Sequence, residues 1–218
     1  MEYDLRKLGE YKMARELSSI VKMSRREGYA LHPKAHKALV KRSALPGQKT
    51  NTRQFHSRGS QYQIQLREKQ KVKRLYGLLE KQFSNLMKEA IKSEGQSGEN
   101  LLIFLERRLD NTVYRAGFAP SRRAARQLVS HGHFLLNGRR VDIPSIRVKA
   151  GDKIVLRTHS QSNSYFKNID ELSPTPTDIP AWIKVNRKKF EIDVNNNPIR
   201  DNAELDINEQ LIVEYYSR

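Results

Sequence analysis

Cationic side chains carry most of the chemistry this sequence offers. Arg122 and Arg126 stand four residues apart, the spacing of neighbours on one helix face. Arg139 and Arg140 follow directly on Asn137-Gly138, a dipeptide suited to a tight turn. Arg67, Lys69, Lys71, Lys73 and Arg74 crowd into a single short stretch. Groups in such clusters bind phosphate. Residues that could make or break bonds are scattered instead. His32 with His36, and His131 with His133, each offer two metal ligands without a third or fourth nearby, so no metal site is expected. Glu204, Asp206 and Glu209 read as a solvated face and helix-start acids, not as an acid/base pair. A Gly-x-x-x-x-Gly-Lys phosphate loop is missing. Cysteine is absent as well, which removes disulfides, thiolate zinc sites and cysteine nucleophiles together. With no nucleophile, base and orienting group assembled, binding is expected and catalysis is not, and no cofactor is implied.

The balance of charge agrees with that expectation. The 218 residues hold 41 Lys plus Arg against 24 Asp plus Glu, a net charge of +17. Residues 1–80 carry a net +12, residues 81–160 a net +8, and residues 161–218 a net −3. Self-repulsion of this size calls for a polyanionic neutraliser, and nucleic acid phosphate is the commonest. A basic surface kept only for solubility would mix both signs along the chain. Hydrophobic residues make up 37%, enough for one or two small cores but not one large one. No apolar stretch reaches the ~20 residues of a membrane helix. Met1-Glu2-Tyr3-Asp4 lacks the basic start of a signal peptide and is too acidic for a typical transit peptide. A soluble, cytosolic protein is expected, with no membrane partner.

The elements that must position these cations follow from periodicity. A weakly periodic helix is expected over Leu5 to Val21, and another over Lys34 to Arg42 within an otherwise irregular stretch from Gly28 to Gly59. Val72, Leu75, Tyr76, Leu79, Phe83, Leu86, Met87, Ala90 and Ile91 predict one amphipathic helix from about Leu66 to Ser93. Its first turns would hold Arg67 to Arg74, a placement the helix dipole disfavours, so these residues are expected to face phosphate. Leu101, Leu102, Leu105, Leu109 and Val113 predict a helix ending near Gly117. Ser121 then caps a second helix that stops at Gly132, with Ala125, Leu128 and Val129 on its buried side. A hairpin through Asn137-Gly138 and short strands at Ser145–Val148 and Asp152–Arg157 complete a compact α+β module.

At this point the residues carry a resemblance. Leu105-Glu106-Arg107-Arg108-Leu109-Asp110-Asn111, Val113 to Ala119, Ser121 to His133 and Asn137-Gly138 resemble the RNA-binding module named after small-subunit ribosomal protein four. Outside it, Ser24-Arg25-Arg26-Glu27-Gly28, Pro46-Gly47-Gln48, Leu66 to Val72, Gly98-Glu99-Asn100-Leu101 and the closing Asp206 to Ser217 resemble that ribosomal protein itself, of bacterial or organellar type. Lys22-Met23-Ser24-Arg25-Arg26 and His131-Gly132-His133 echo the ATP-site motifs of class I aminoacyl-tRNA synthetases. Their order is reversed and no nucleotide-binding αβ unit lies between them.

The ribosomal resemblance implies an α+β fold in which an RNA-binding module of two helices and a small curled β-sheet interrupts a helical domain. Residues 1–98 would form the basic N-terminal segment and helical domain, 99–175 the module, and 176–218 a tail packing back on the helical domain. It implies a primary binder of small-subunit ribosomal RNA that nucleates its 5′ domain and contributes to decoding accuracy. Arg107, Arg108, Arg122, Arg123, Arg126, Arg139 and Arg140 would grip RNA phosphates, with His131 in the same groove and Arg25 and Arg26 in a further matching block. Such a surface suits folded RNA, read through shape and backbone. Lys49, Arg53 and Arg58 would lie near the channel where messenger RNA enters the small subunit. Some members hold zinc with cysteines where this chain has Val21 and Ser24, so a zinc-free member is implied. The acidic end would meet ribosomal protein five. The alternative role is a free RNA-binding regulator of translation, and an organellar matrix or stroma is an alternative compartment.

Overall fold

The computed structural model of the chain describes residues 18–42, 44–47 and 59–217. The helical part comprises α1 (Ile20–Glu27), α2 (Pro33–Lys41), α3 (Gln61–Leu75), α4 (Glu80–Lys92) and α5 (Ser97–Glu106). The module follows with α6 (Leu109–Arg115), α7 (Arg122–Ser130), β1 (Phe134–Leu136), β2 (Arg139–Val141) and β3 (Lys153–Leu156). Three single-turn helices, α8 (Thr158–Gln161), α9 (Ser164–Lys167) and α10 (Ile169–Leu172), lead to β4 (Ile183–Asn186) and β5 (Glu191–Val194). A 3₁₀ turn at Arg200–Asn202 and α11 (Glu209–Tyr216) close the chain. The architecture is α+β, and most of the expected Leu5–Val21 helix falls outside the described residues.

Two apolar clusters hold these elements. One gathers Met23, Leu31, Val72, Leu75, Phe83, Met87, Leu101, Leu105 and Ile212 from α1 and the turn after it, α3, α4, α5 and α11. The other gathers Leu109, Val113, Ala125, Val129, Phe134, Ile154, Trp182 and Ile192 from α6, α7 and the sheet. All five strands are antiparallel, in the order β2-β1-β3-β5-β4. Asn137 and Gly138 turn β1 into β2 at φ of 50° and 79°. The Asn137 side chain also latches β3, donating to Asp152 Oδ1 at 2.8 Å and accepting from the Lys153 N–H at 2.9 Å.

Four expectations are corrected. The single helix over 66–93 is two, because the chain turns a corner at Gly77, whose φ is +66°. There the Leu78 N–H returns to the Lys73 carbonyl at 2.9 Å, which closes α3. Since α3 begins at Gln61, the cations from Arg67 to Arg74 occupy its middle and its C-terminal end. The dipole favours positive charge at that end, so the supposed conflict disappears. The helix expected through Gly117 likewise breaks at Arg107-Arg108. The N–H groups of Leu109 and Asp110 pair sideways with the carbonyls of Ile146 and Pro144. Ser145–Val148 is consequently no strand and makes only a bridge between Arg108 and Arg147. Apart from these corrections, β5 pairs with β3, and the sheet includes strands beyond residue 175. The stretch that returns to the helical part starts near Arg200, and α11 lies along α3 and α5.

A polar network joins the two clusters. Glu106 is wholly buried at the end of α5. It accepts from the Tyr76 hydroxyl at 2.6 Å, Asn111 Nδ2 at 2.8 Å and Arg115 Nη2 at 3.0 Å. Arg115 also reaches the Asn202 carbonyl at 3.3 Å and lies 3.5 Å from Glu204. Glu204 accepts from Arg122 Nη2 at 2.9 Å, and Arg122 Nε donates to Asn111 Oδ1 at 3.0 Å. The α3–α4 corner, both module helices and the returning C-terminal stretch therefore share one set of hydrogen bonds.

Two predictions follow from this arrangement. Gly77 has no heavy atom within 4 Å of where a Cβ would stand, whereas at Gly117 (φ +77°) a Cβ would collide with the Pro176 ring. Chemical denaturation should show Gly77→Ala costing about 1–2 kcal/mol, the left-handed backbone penalty alone. Gly117→Ala should cost distinctly more, and equal losses would show that the Pro176 contact gives way freely. The second concerns pH. Burial alone would raise the Glu204 carboxyl, but Arg122 and Arg115 beside it hold it below 4.5, the ordinary glutamate value. A carboxyl held down in the folded state stabilises above 4.5 and loses that contribution as pH falls through its folded value. Melting temperatures of the chain and of its Glu204→Gln variant should therefore differ at about pH 7 and converge by about pH 3. A gap that persists in acid would mean that Glu204 acts through something other than its charge.

Candidate nucleic-acid interface

Helix α7 sorts its arginines by the way it packs. The Ser121 hydroxyl caps it, accepting from the Ala124 N–H at 3.2 Å. Ala125 and Val129 are buried against the module core, while Arg123 and Gln127 face solvent. Arg122 and Arg126 sit between these faces and turn inward. The Arg122 side chain is only 12% exposed, bonded to Glu204 and Asn111 and stacked on the rings of Tyr76 and Tyr114, 4.9 and 4.6 Å from their centroids. Arg126 Nη1 lies 3.6 Å from Asp110 Oδ2. The four-residue spacing thus marks a pair packed against the protein, Arg122 through Glu204, Asn111 and two rings and Arg126 beside Asp110.

Many of the other expected cations are also held internally. Arg108 is buried, its Nε and Nη2 forking onto Asp110 Oδ1 and Oδ2 at 3.0 and 2.8 Å. Lys69 is buried as well, with Nζ 2.6 Å from Glu80 Oε1 and 4.6 Å from the Tyr215 ring centroid. Lys73 reaches the second Glu80 oxygen at 2.9 Å, and Lys71 bonds Glu68 and the Asp206 carbonyl at 2.8 Å each. Arg67 and Arg74 both pair with Glu27. Arg25 donates to the Ala44 carbonyl at 2.7 Å, and Arg107 Nε to that of Val148 at 2.8 Å. Burial, with Arg147 nearby, holds the Arg107 guanidinium below its ordinary value. Together Arg67 to Arg74 clamp α3 to α1, α4 and the C-terminal stretch.

Arg26, Arg123, His131, Arg139 and Arg140 remain exposed. Several of them meet at the end of α7. Gly132 has no side chain, and the Arg140 guanidinium lies where its Cβ would be, 2.6 Å from that position. Arg157 Nη1 donates to the Gly132 carbonyl at 3.1 Å. The His131 and His133 rings meet edge-on at 5.9 Å, and His133 Nδ1 lies 3.0 Å from the Ser160 hydroxyl. Burial lowers the His133 imidazole from its ordinary value, and His131 and Arg157 add to that. Among the described residues no group of three His, Asp or Glu could hold a metal ion. His32 instead caps α2, accepting from the Lys34 N–H at 3.0 Å.

Sequence reasoning missed a second set of cations. Lys34, Lys37 and Lys41 are all exposed on α2, with Arg42 just beyond it. Their spacing of three and four behind Pro33 was a readable signal of one helix face. The start of α2 meets α7 at one cleft, which His32, Pro33, Arg123 and Gln127 all line. Burial lowers the His32 imidazole, and Lys34 and Arg123 add to that. Lys49, Arg53 and Arg58 lie outside the described residues.

Comparisons with known proteins agree with this geometry. Residues 15–106 match the family model described as the ribosomal protein S4/S9 N-terminal domain, and residues 107–154 match the S4 domain. The chain is 50% identical over 207 residues to small ribosomal subunit protein uS4 of Chlorobium phaeovibrioides, spanning 94% of this chain and all of that protein. It is 47% identical over 212 residues to the uS4 of Clostridioides difficile and 48% over 210 to that of Chloroflexus aurantiacus, with the same coverage. With both domains matched in order and whole relatives covered end to end, the chain belongs to the uS4 family of small-subunit ribosomal proteins.

Proposed function

We propose that the chain is a structural protein of the small ribosomal subunit, without catalytic activity, that binds folded ribosomal RNA through the joined faces of α2, α7 and the β1–β2 hairpin. One observation carries this reading most directly. Exposed cations lie on α2, on α7 and at the hairpin, the Arg140 guanidinium packs on Gly132 after α7, and His32 and Pro33 line one cleft with Arg123 and Gln127. Binding of this kind tracks phosphates and shape, with few base contacts. In the finer reading it is a primary binder that nucleates the 5′ domain of the RNA, and Lys49, Arg53 and Arg58 act near the path of messenger RNA. The acidic C-terminal region meets a neighbouring subunit protein, ribosomal protein five, and tunes decoding accuracy. Its place of work is the ribosome, which in bacteria lies in the cytoplasm.

Paired substitutions test the binding face. Arg123→Ala, at an exposed site, should leave stability within about 0.5 kcal/mol. It should weaken binding to the 5′-domain RNA and reduce the slope of log affinity against log salt by about 1. Arg122→Ala should instead cost about 3–5 kcal/mol of stability, because Glu204 and Asn111 lose a buried partner. If ~6–10 phosphates are contacted, affinity of the parent chain should fall ~10³–10⁵-fold between ~50 and ~200 mM salt. Salt-independent binding, or affinity for an unrelated messenger leader equal to that for the 5′ domain, would contradict the proposal.

A further inference from the structure

A cleft of about 280 Å³ opens between α1 and α2, the α3–α4 corner and α7. Its size is at the low end for ligand sites, suited to one planar group and far too small for a helix. Met23, Leu31, Leu75 and Leu78, all buried, supply apolar wall. His32, Ser121 and Gln127 stand at its polar side, together with Arg74, Arg122, Arg123 and Arg126. No aspartate or glutamate lines it among the described residues, and Glu27, Glu204 and Asp110, which pair with Arg74, Arg122 and Arg126, lie outside its lining. Pro33, Gly77, Arg123 and Gln127 at the rim are exposed, so the cleft is reachable from solvent.

The occupant is indicated by three properties held together. An apolar floor favours a flat, weakly hydrated surface. Polar side chains at one edge suit a group with donors and acceptors on its perimeter. A cationic rim without acids requires that group to be joined to an anion. Nucleotides combine all three, and unpaired RNA residues are those whose bases can splay out of the stack. The cleft also lies between the two cationic faces, Lys34 to Lys41 on α2 and Arg123 on α7, along which an RNA backbone would run.

We infer that this cleft captures one unpaired nucleotide of the bound RNA, its base against the Leu31, Leu75 and Leu78 wall and its phosphate toward the Arg123 rim. The inference rests on the RNA-binding reading above and adds base capture to what is otherwise backbone recognition. The Tyr114 ring, half-buried against Arg122, also lines the cleft. Arg122 is a positioning residue here, since its contacts set the distance between α7 and the α3–α4 corner.

Chemical probing of the Watson–Crick edges of the 5′-domain RNA, with and without the full chain, provides the test. One unpaired base should lose reactivity on binding. It should regain reactivity with Ile20→Trp, which places a ring at the half-buried start of α1 that lines the cleft. Affinity should then drop roughly 5- to 150-fold, the worth of one stacked base. The salt slope should fall by no more than about 1, the share of the single phosphate placed at Arg123. Should Ile20→Trp lower the melting temperature, Gln127→Ala at the exposed rim takes its place and should alter reactivity at the same base. Protection confined to riboses and phosphates, with salt-dependent binding intact, would overturn base capture and leave the RNA-binding reading standing. Failure of the parent chain to bind the RNA at all would overturn both. Adenosine, guanosine, cytidine and uridine monophosphates are titrated separately. Tight binding of one of them in the cleft that does not compete with RNA would assign the site to a free nucleotide and reject the inference.

Discussion

Everything in this molecule depends on how the Glu106 carboxyl is satisfied. A carboxyl removed from water at the end of α5 must recover several strong hydrogen bonds from protein, or the fold does not hold there. Its donors come from places that no local element could bring together. Tyr76 stands at the α3–α4 corner, while Asn111 and Arg115 project from α6. Arg115 in turn needs acceptors for its remaining N–H groups, and it finds them on the returning C-terminal stretch. Glu204 draws Arg122 in, and Arg122 comes with the first turn of α7. Satisfying one buried oxygen pair thus aligns the helical part, the module and the C-terminus. Such a network stabilises only when every member is present. The same network links the two apolar clusters, each modest in size.

This constraint also governs how the charge is spent. A chain with a net charge of +17 invites the view that its arginines belong to RNA. Yet Arg108, Arg115 and Arg122, with Lys69, Lys73 and Arg74, are engaged by acids of the same chain. Each internal pair removes one charge of either sign from the surface and leaves the net untouched. The positive charge left at the surface sits on fewer side chains, among them those of α2, the outer face of α7 and the hairpin. Concentration on a continuous face is what a phosphate backbone responds to, since counterion release scales with contacts made and not with total charge.

Much of this was legible in the sequence, and the limits are physical. Ser121 as a cap, Asn137-Gly138 as a hairpin turn and the buried side of α7 are local features, and local chemistry decides them. The break at Gly77 was hidden because apolar periodicity continues through it. Leu75 and Tyr76 before the corner and Phe83 after it serve one core from two directions. The fate of Arg122 was hidden for a different reason. Its partner Glu204 lies 82 positions away, and nothing in an arginine's type separates an inward guanidinium from an outward one. The α2 lysines lay within reach of helical spacing, but their short helix sits in an otherwise irregular stretch. Strands β4 and β5 escaped notice because four-residue strands carry little periodicity of their own.

Inward arginines and outward ones are two parts of one device. The proposed base-capturing cleft has walls from α1 and α2, from the α3–α4 corner and from α7, so its width is a tertiary quantity. Ser24 fixes the first wall, its hydroxyl donating to the Ile20 carbonyl and accepting from the Leu31 N–H. Glu27 ties the same helix to Arg67 and Arg74 on α3. Arg122, stacked between Tyr76 and Tyr114, sets the opposite wall against the corner. These internal ion pairs therefore hold the groups proposed to face RNA in register before any RNA arrives. Preorganisation of this kind lowers the ordering cost that association would otherwise incur. A cation buried in the scaffold can contribute to affinity without touching a phosphate, by holding still the cations that do.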